Sequence, residues 1–373
     1  MIPVNEPLLN GNEKKYLNEC IDTGWISTEG PFVEKFEQQF AERMGRKYGI
    51  AVTNGTSAID AAVEALGIGS GDEVILPSFT IISCILQIVR SGATPVLVDS
   101  EPDNWNMNVN QVESKINSKT KAILMCHIYG LPVDVNPILD LCKKYNLKLI
   151  EDAAEVIGQT YLGNPCGSFG DISTFSFYAN KHITTGEGGM ILTDNETLAL
   201  KCRELRNLCF KPDKRFFHEH LGWNLRMTNL QAAVGLAQLE RLNNFIIKKR
   251  WIGERYLELL GDLKEVQLPL AKTAYAKNIY WVFGLVLNES LNTNAEKIIK
   301  NLINDGIGCR PFFFPLHQQP VLKNLGLFKN ESYPVAEKLY QCGFYIPSGL
   351  ALTEAQILTV SKSVKKVLKD INA

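Results

Sequence analysis

Lys181 stands alone between a β-branched and aromatic run and a glycine cluster, within the stretch TFSFYANKHITTGEGGMILTD that runs from Thr174 to Asp194. A protonated lysine amine is a poor nucleophile, and a desolvated or cation-flanked site lowers its pKa. Ser176, just before it, carries a hydroxyl that could bond a phosphate oxygen. The glycines of TTGEGG would let the backbone fold closely around a bound group. The ordinary alternative is a surface lysine beside a flexible loop.

Two further groups precede this one. Thr53-Asn54-Gly55-Thr56-Ser57 follows the run GIAV at an expected helix start. Free backbone N–H groups and the helix dipole favour a phosphate there, and a plain N-cap with a tight turn is the alternative. After LKLI comes Glu151-Asp152-Ala153-Ala154-Glu155. Asp152 either caps a following helix or holds a protonated ring nitrogen by a charge-assisted hydrogen bond. A phosphate cradle, a strand-end aspartate and a lysine, in this order on one expected sheet, are the requirements of pyridoxal 5′-phosphate. That cofactor needs an anion site, a pyridinium partner and an amine that forms a Schiff base.

The elements that must position these groups alternate between short apolar runs and helical patterns over residues 49–200. GIAV, DEVILP, ATPVLVD, KAILMCHIYG, LKLIEDAAE, ISTFSF and GGMILTD read as strands, several of them near-continuously apolar. Such strands with intervening helices predict an α/β fold with a largely parallel sheet, whose ligands collect outside the carboxyl ends of the strands. From Thr228 the stretch TNLQAAVGLAQLERLNNFIIKKRWIGERYLELL reads as one long helix capped by Thr228 or Asn229. Beyond it, IYWVFGLVL, a helix near 294–304, CRPFFFP and a last helix from about Thr353 read as a smaller α+β domain. The expected division is 1–250 and 251–373.

Composition narrows the class. The chain has 373 residues, 45% of them hydrophobic, and a formal net charge of −1. That balance lacks the basic footprint of a nucleic-acid binder. The apolar runs are shorter than the roughly 20 residues of a membrane span, and the first residues lack the pattern of a signal peptide. Nine cysteines without a CxxC pair point to a reduced, cytoplasmic protein. His218 and His220 form an isolated H-x-H without further ligand spacing, so no metal site is expected.

Over nearly its whole length the sequence resembles the sugar aminotransferases of the DegT/DnrJ/EryC1/StrS family. The resemblance is carried by GWIS, NGTSA, GDEVILPSFT, GATPVLVD, HIYG, EDAAE, GSFGDISTFSF, NKHITTGEGGM, GWNLRMTNLQAAVGLAQLERL and RPFFFPLH. It implies fold type I, the aspartate-aminotransferase-like architecture with a mixed, mostly parallel seven-stranded sheet. It implies that Lys181 carries the cofactor and moves protons, and that Asp152 pairs with the pyridine nitrogen. Glu155 would lie near the ring. Gly55, Thr56, Ser57 and Ser176 would take the phosphate, joined by Asn224 of a second subunit, so that a homodimer shares its sites. Trp25, Arg310 and His317 fall in segments that line the sugar cleft. Where relatives carry an aromatic that stacks on the cofactor, this chain has Ile81. His182 follows the lysine rather than replacing it, which favours transamination over the dehydration performed by a histidine-bearing branch.

The implied reaction takes the amino group of L-glutamate to a keto-sugar. The resemblance is greatest to the branch that aminates C4 of GDP-4-keto-6-deoxymannose to give GDP-perosamine for lipopolysaccharide O-antigen. FYANKH and FFHEHLGWNL differ from that branch. They leave open a UDP- or dTDP-linked 4-keto-6-deoxyhexose or an 8-keto-3-deoxy-octulosonate. A non-catalytic regulatory protein that binds the same cofactor is an alternative of another class, against which the intact Lys181 and Asp152 argue.

Overall fold

A computed structural model describes residues 1–211, 213–291 and 293–372. The N-terminal part contains helices α1 (Glu13–Thr23) and α2 (Pro31–Arg43), then strand β1 (Tyr48–Val52), α3 (Gly55–Ala65), β2 (Glu73–Pro77), α4 (Ser83–Arg90), β3 (Thr94–Val98) and β4 (Thr120–Cys126). It continues with α5 (Val135–Tyr145), β5 (Lys148–Asp152), a small hairpin of β6 (Thr160–Tyr161) and β7 (Asn164–Pro165), then β8 (Ile172–Ser176), β9 (Gly189–Thr193), α6 (Glu196–Arg206) and α7 (Asn229–Leu239).

Seven of these strands form one sheet in the order β1-β9-β8-β5-β4-β2-β3. Neighbours from β8 through β3 pair in parallel, while β9 runs against both β8 and β1. Successive strand side chains alternate between faces. Ile50, Val52, Val74, Leu76, Ala122 and Leu124 accordingly pack with α3, α4 and α6, in one cluster. Ala51, Ile75, Ile123 and Met125 face the opposite cluster with α2, α5 and α7. Apolar residues on both faces explain why the strands read as continuous runs.

The rest of the chain comprises α8 (Leu242–Leu260), β10 (Val266–Gln267), β11 (Phe283–Leu287), α9 (Ala295–Asn304), β12 (Arg310–Pro311), α10 (Pro320–Asn324), α11 (Pro334–Cys342), β13 (Gly343–Ile346) and α12 (Glu354–Asn372). Its four strands pair antiparallel in the order β10-β11-β13-β12. Helices α8, α9 and α12 pack on them in a third apolar cluster. The boundary expected at residue 250 falls inside α8.

The single long helix expected from Thr228 is two helices. Thr228 caps the first through a box with Gln231. The chain leaves helical geometry at Arg241, where φ is −108° and ψ 5°. The side chains there are drawn away: Glu240 accepts from Asn12 at 2.7 Å and from Tyr16 at 2.5 Å, and Arg241 bonds Asn10. Among the described residues, no helix is long and apolar enough to cross a membrane.

An aromatic cluster braces the end of β8, and a buried lysine ties α8 to the rest of the C-terminal half. Phe36 and Phe40 of α2 meet Phe175 and Phe177 at ring separations of 4.9 to 5.1 Å. Lys249 of α8 is buried, and no carboxylate among the described residues pairs with it. Its Nζ donates to the carbonyls of Trp281 at 2.7 Å and Ser348 at 2.6 Å. Phe40→Ala removes a fully buried ring from that cluster and is expected to cost about 3–5 kcal/mol. Chemical denaturation measures the loss, and a change below about 1 kcal/mol contradicts a packing role for the ring.

Candidate active site

A cavity of about 700 Å³ opens at the carboxyl ends of β1, β5 and β8, where an α/β sheet places its ligands. Residues 54–57 and Ser176 line one end. Asp152, Glu155, Thr174 and Lys181 line the other part, and Trp281, Phe313 and Tyr345 close it from the C-terminal half.

The anion end is built on the start of α3. Asn54 caps the helix, its side chain accepting from Ser57 N at 2.8 Å. The cap and the phosphate site are therefore not alternatives. Asn54 takes the Ser57 amide, and the first amides, Gly55 and Thr56, have no intrahelical carbonyl to meet. Gly55 is required by close approach, because a Cβ there would lie 2.7 Å from the Ser176 Cβ. A Cβ on Gly189 would lie 2.4 Å from the Asn54 carbonyl oxygen. That glycine of the TTGEGG cluster thus seats β9 against the turn, rather than wrapping a bound group as the sequence suggested. Thr56 Oγ1 is 2.8 Å from Ser83 Oγ, and Thr53 Oγ1 is 3.1 Å from Ser57 Oγ.

Asp152 ends β5, in register with Cys126 of β4 and Thr174 of β8. Turns, not a helix, follow it, so the capping alternative lapses. One carboxylate oxygen accepts from Ala154 N at 3.0 Å. The neighbouring Thr174 hydroxyl is buried, lines the cavity and has no hydrogen-bond partner within the protein. Glu151, one residue earlier, points away into the structure. It accepts from the amides of Gly167, Phe169 and Gly170, from Ser173 Oγ, and pairs with His127. His127, just past the end of β4, is a structural histidine whose other ring nitrogen lies 3.0 Å from Val133 N.

Lys181 lies in the loop between β8 and β9 with its side chain only 10% exposed, so it is not an ordinary surface residue. Its Nζ sits 3.9 Å from Glu155 Oε1 and 3.7 Å from the centre of the Trp281 ring. Burial lowers the lysine pKa, and the carboxylates of Glu155 and Asp152 oppose that shift. Burial likewise raises Glu155, to about 8, against the pull of Lys181. Glu155 Oε2 accepts from Tyr129 N at 2.9 Å, which fixes its position. The loop is fastened at Asn180, whose carbonyl accepts from Trp281 Nε1 at 2.8 Å and Asn5 Nδ2 at 3.1 Å.

Gly55, Thr56, Ser57, Asp152, Glu155, Ser176 and Lys181 therefore share one cavity, and Ile81 lines it at 44% exposure. The other sequence candidates lie elsewhere. Asn224 is exposed and accepts from Arg226 Nε at 2.8 Å. Trp25 is half exposed, away from the cavity lining. Arg310 is exposed and pairs in register with Tyr345, whose side chain does line the cavity. His317 is buried, its Nε2 held 2.9 Å from Glu337 Oε1 and its ring against Tyr333. It is a packed histidine outside the cavity lining. Sequence reasoning missed Trp281, Phe313, Tyr345, Ser83 and Thr174. The aromatic residues sit in apolar runs that read as strand core, so only their polar neighbours hinted at a site.

This donor set fits pyridoxal phosphate. Free helix-start amides meet a glycine-permitted approach, a buried carboxylate lies next to an unpartnered hydroxyl, and a desolvated amine stands between them. The comparisons with known proteins agree. Residues 7–365 match the DegT/DnrJ/EryC1/StrS aminotransferase family. The chain is 43% identical to a GDP-perosamine synthase of Caulobacter vibrioides and 41% identical to one of Vibrio cholerae, each over 98% of both chains. Its fold is similar to the aminotransferase TlmJ from Streptoalloteichus hindustanus, with a TM-score of 0.93 at 29% identity over 100% of both chains. It is also similar to Helicobacter pylori PseC, an aminotransferase involved in the biosynthesis of pseudoaminic acid, with a TM-score of 0.93 at 25% identity over 99% of both. The seven-stranded sheet, the cavity at its carboxyl edge and these likenesses together make the chain a member of the DegT/DnrJ/EryC1/StrS aminotransferase family, a sugar aminotransferase whose cofactor is pyridoxal 5′-phosphate.

Proposed function

We propose that the protein transfers the amino group of L-glutamate to C4 of GDP-4-keto-6-deoxymannose, forming GDP-perosamine. The observation that carries this reading is the 41–43% identity to GDP-perosamine synthases over 98% of their length. Bound pyridoxal phosphate supplies a conjugated electron sink for the charge left on carbon when a proton departs. Lys181 Nζ would hold the cofactor covalently and, once free of it, would be placed to take and return that proton. One amine at a fixed position thus serves as leaving group and general acid–base. Asp152 holds the ring nitrogen protonated. The Gly55 and Thr56 amides with the hydroxyls of Thr56, Ser57 and Ser176 receive the phosphate. Ile81 lines the same cavity, where an aliphatic side chain could offer dispersion but no aromatic stacking. A cytoplasmic location belongs to the same proposal and rests on the cysteine pattern of the sequence.

The site is completed by a second copy of the chain in this proposal, with Asn224 reaching the neighbouring phosphate. Support comes from the surroundings of Asn224. A second cavity of about 400 Å³ gathers Arg203, Arg206, Lys211, Arg215 and Arg226, and Phe216 and Leu221 nearby are 84% and 94% exposed. At the sugar end, Arg310 is the candidate for gripping a diphosphate bidentately, next to the Tyr345 it pairs with. Trp25 is retained as a cleft residue from the second copy's side. His317 is held through Nε2 by Glu337 and packs on Tyr333, which suits a positioning role in packing.

Three outcomes test this. Borohydride reduction of the purified protein should bleach the visible absorbance of the cofactor and label the peptide containing Lys181; label on another lysine refutes the assignment. A panel of keto-sugars should show glutamate-dependent amination of the GDP-linked 4-keto-6-deoxyhexose ahead of UDP- and dTDP-linked ones. Amination of free 8-keto-3-deoxy-octulosonate alone removes the nucleotide-sugar reading and leaves the cofactor chemistry in place. Mixing Lys181→Ala with Asn224→Ala chains should restore part of the activity through hybrid dimers, and no restoration after verified subunit exchange refutes a shared site.

The pair at Lys181 gives a pH prediction with a definite sign. Glu155→Gln removes the anion that favours the ammonium while burial, which disfavours it, remains. The folded lysine pKa then falls further. The acid limb of the pH–rate profile should move down by about one unit or more, since opposite charges this close commonly shift a pKa by 1–3 units. An acid limb that stays in place or moves up contradicts the coupling.

A further inference from the structure

Cys84 and Cys126 touch the site and have no part in the roles above. Cys84 lies in the first turn of α4 and Cys126 ends β4, both fully buried. Their Sγ atoms approach one and the same oxygen, Oδ2 of Asp152, at 3.3 and 3.7 Å. The other oxygen takes the Ala154 amide. Buried Thr80 completes the group, with Oγ1 donating to Cys126 Sγ at 3.2 Å and lying 3.4 Å from Cys84 Sγ. Ser83, the residue before Cys84, bonds Thr56 at the anion end. A single turn of α4 therefore reaches both ends of the cavity.

A buried carboxylate needs its lone pairs occupied. A thiol is a weak donor, so it occupies a lone pair while stabilising the anion little. A hydroxyl would donate more strongly to a carboxylate and lower its affinity for a proton. An alanine would leave the lone pair bare and raise that affinity. Sulfur at both positions occupies the carboxylate while donating to it only weakly.

We propose that Cys84 and Cys126 are positioning residues for the transamination. Through two weak S–H···O contacts on Oδ2 they fix Asp152 and set how firmly it holds a proton on the cofactor ring nitrogen. This rests on the reading that Asp152 faces that nitrogen. The other charges felt at the site are Lys181 and Glu155, both unchanged by substitution at the two cysteines.

The test is a pH titration of the visible absorbance of the holoenzyme for wild type, Cys84→Ser, Cys84→Ala, Cys126→Ser and Cys126→Ala. Protons on the ring nitrogen and on the Lys181 nitrogen repel through the conjugated cofactor. Loosening the first therefore raises the titration midpoint of the second. Serine should raise the midpoint by about half a unit or more, and alanine should lower it. The same serine variants should lose about tenfold in kcat with KM values within about twofold of wild type. A merely structural role would change thermal stability without opposite shifts of the two substitutions. Midpoints within about 0.2 unit of wild type, or moving the same way for serine and alanine at both positions, overturn the proposal while Lys181 trapping leaves the cofactor reading intact. A wild-type holoenzyme without a visible band overturns both.

Discussion

Burying an amine is the constraint from which the rest of this structure follows. An ammonium removed from water needs compensation, and a free amine must stay within reach of an acid. Lys181 meets one carboxyl group at Glu155 and one π face at Trp281. Burial lowers the pKa of the amine, while Glu155 and Asp152 oppose that shift. Holding this balance requires a rigid loop. The aromatic cluster under β8 and the two donors on the Asn180 carbonyl supply that rigidity.

The sheet explains how residues far apart in sequence come to surround one amine. Six strands run the same way and expose their carboxyl ends together, while β9 returns beside β8 and brings the lysine loop back over that edge. The reversal leaves Gly189 against Asn54, so the lysine loop and the anion turn are built on one backbone contact. Displacement at either end is transmitted to the other through packed main chain rather than through flexible side chains.

Much of this was legible in the sequence because polar residues at strand ends stand out against apolar runs. Ser57, Asp152, Ser176 and Lys181 each break such a run, and all four line one cavity. What was not legible was chemistry disguised as core. Trp281 and Phe313 continue apolar stretches, and Cys84 and Cys126 pass as small hydrophobic residues. Their roles depend on a partner brought close by the fold. The break at Glu240–Arg241 was hidden for a related reason, since both residues are good helix formers and the pull on them comes from residues 10–16. His317 shows the limit of a conspicuous residue type: beside a proline it reads as a site residue, yet the fold buries it outside the cavity lining with Nε2 on Glu337.

Asn5 donates to the carbonyl of Asn180 across 175 positions of chain, and Ile2 bridges to Ile307. The segment around residues 2–6 is therefore a strut between the C-terminal half and the peptide bond that immediately precedes Lys181. A force applied to this strut reaches the loop that carries Lys181 through a single side-chain hydrogen bond, although the two lie far apart in sequence.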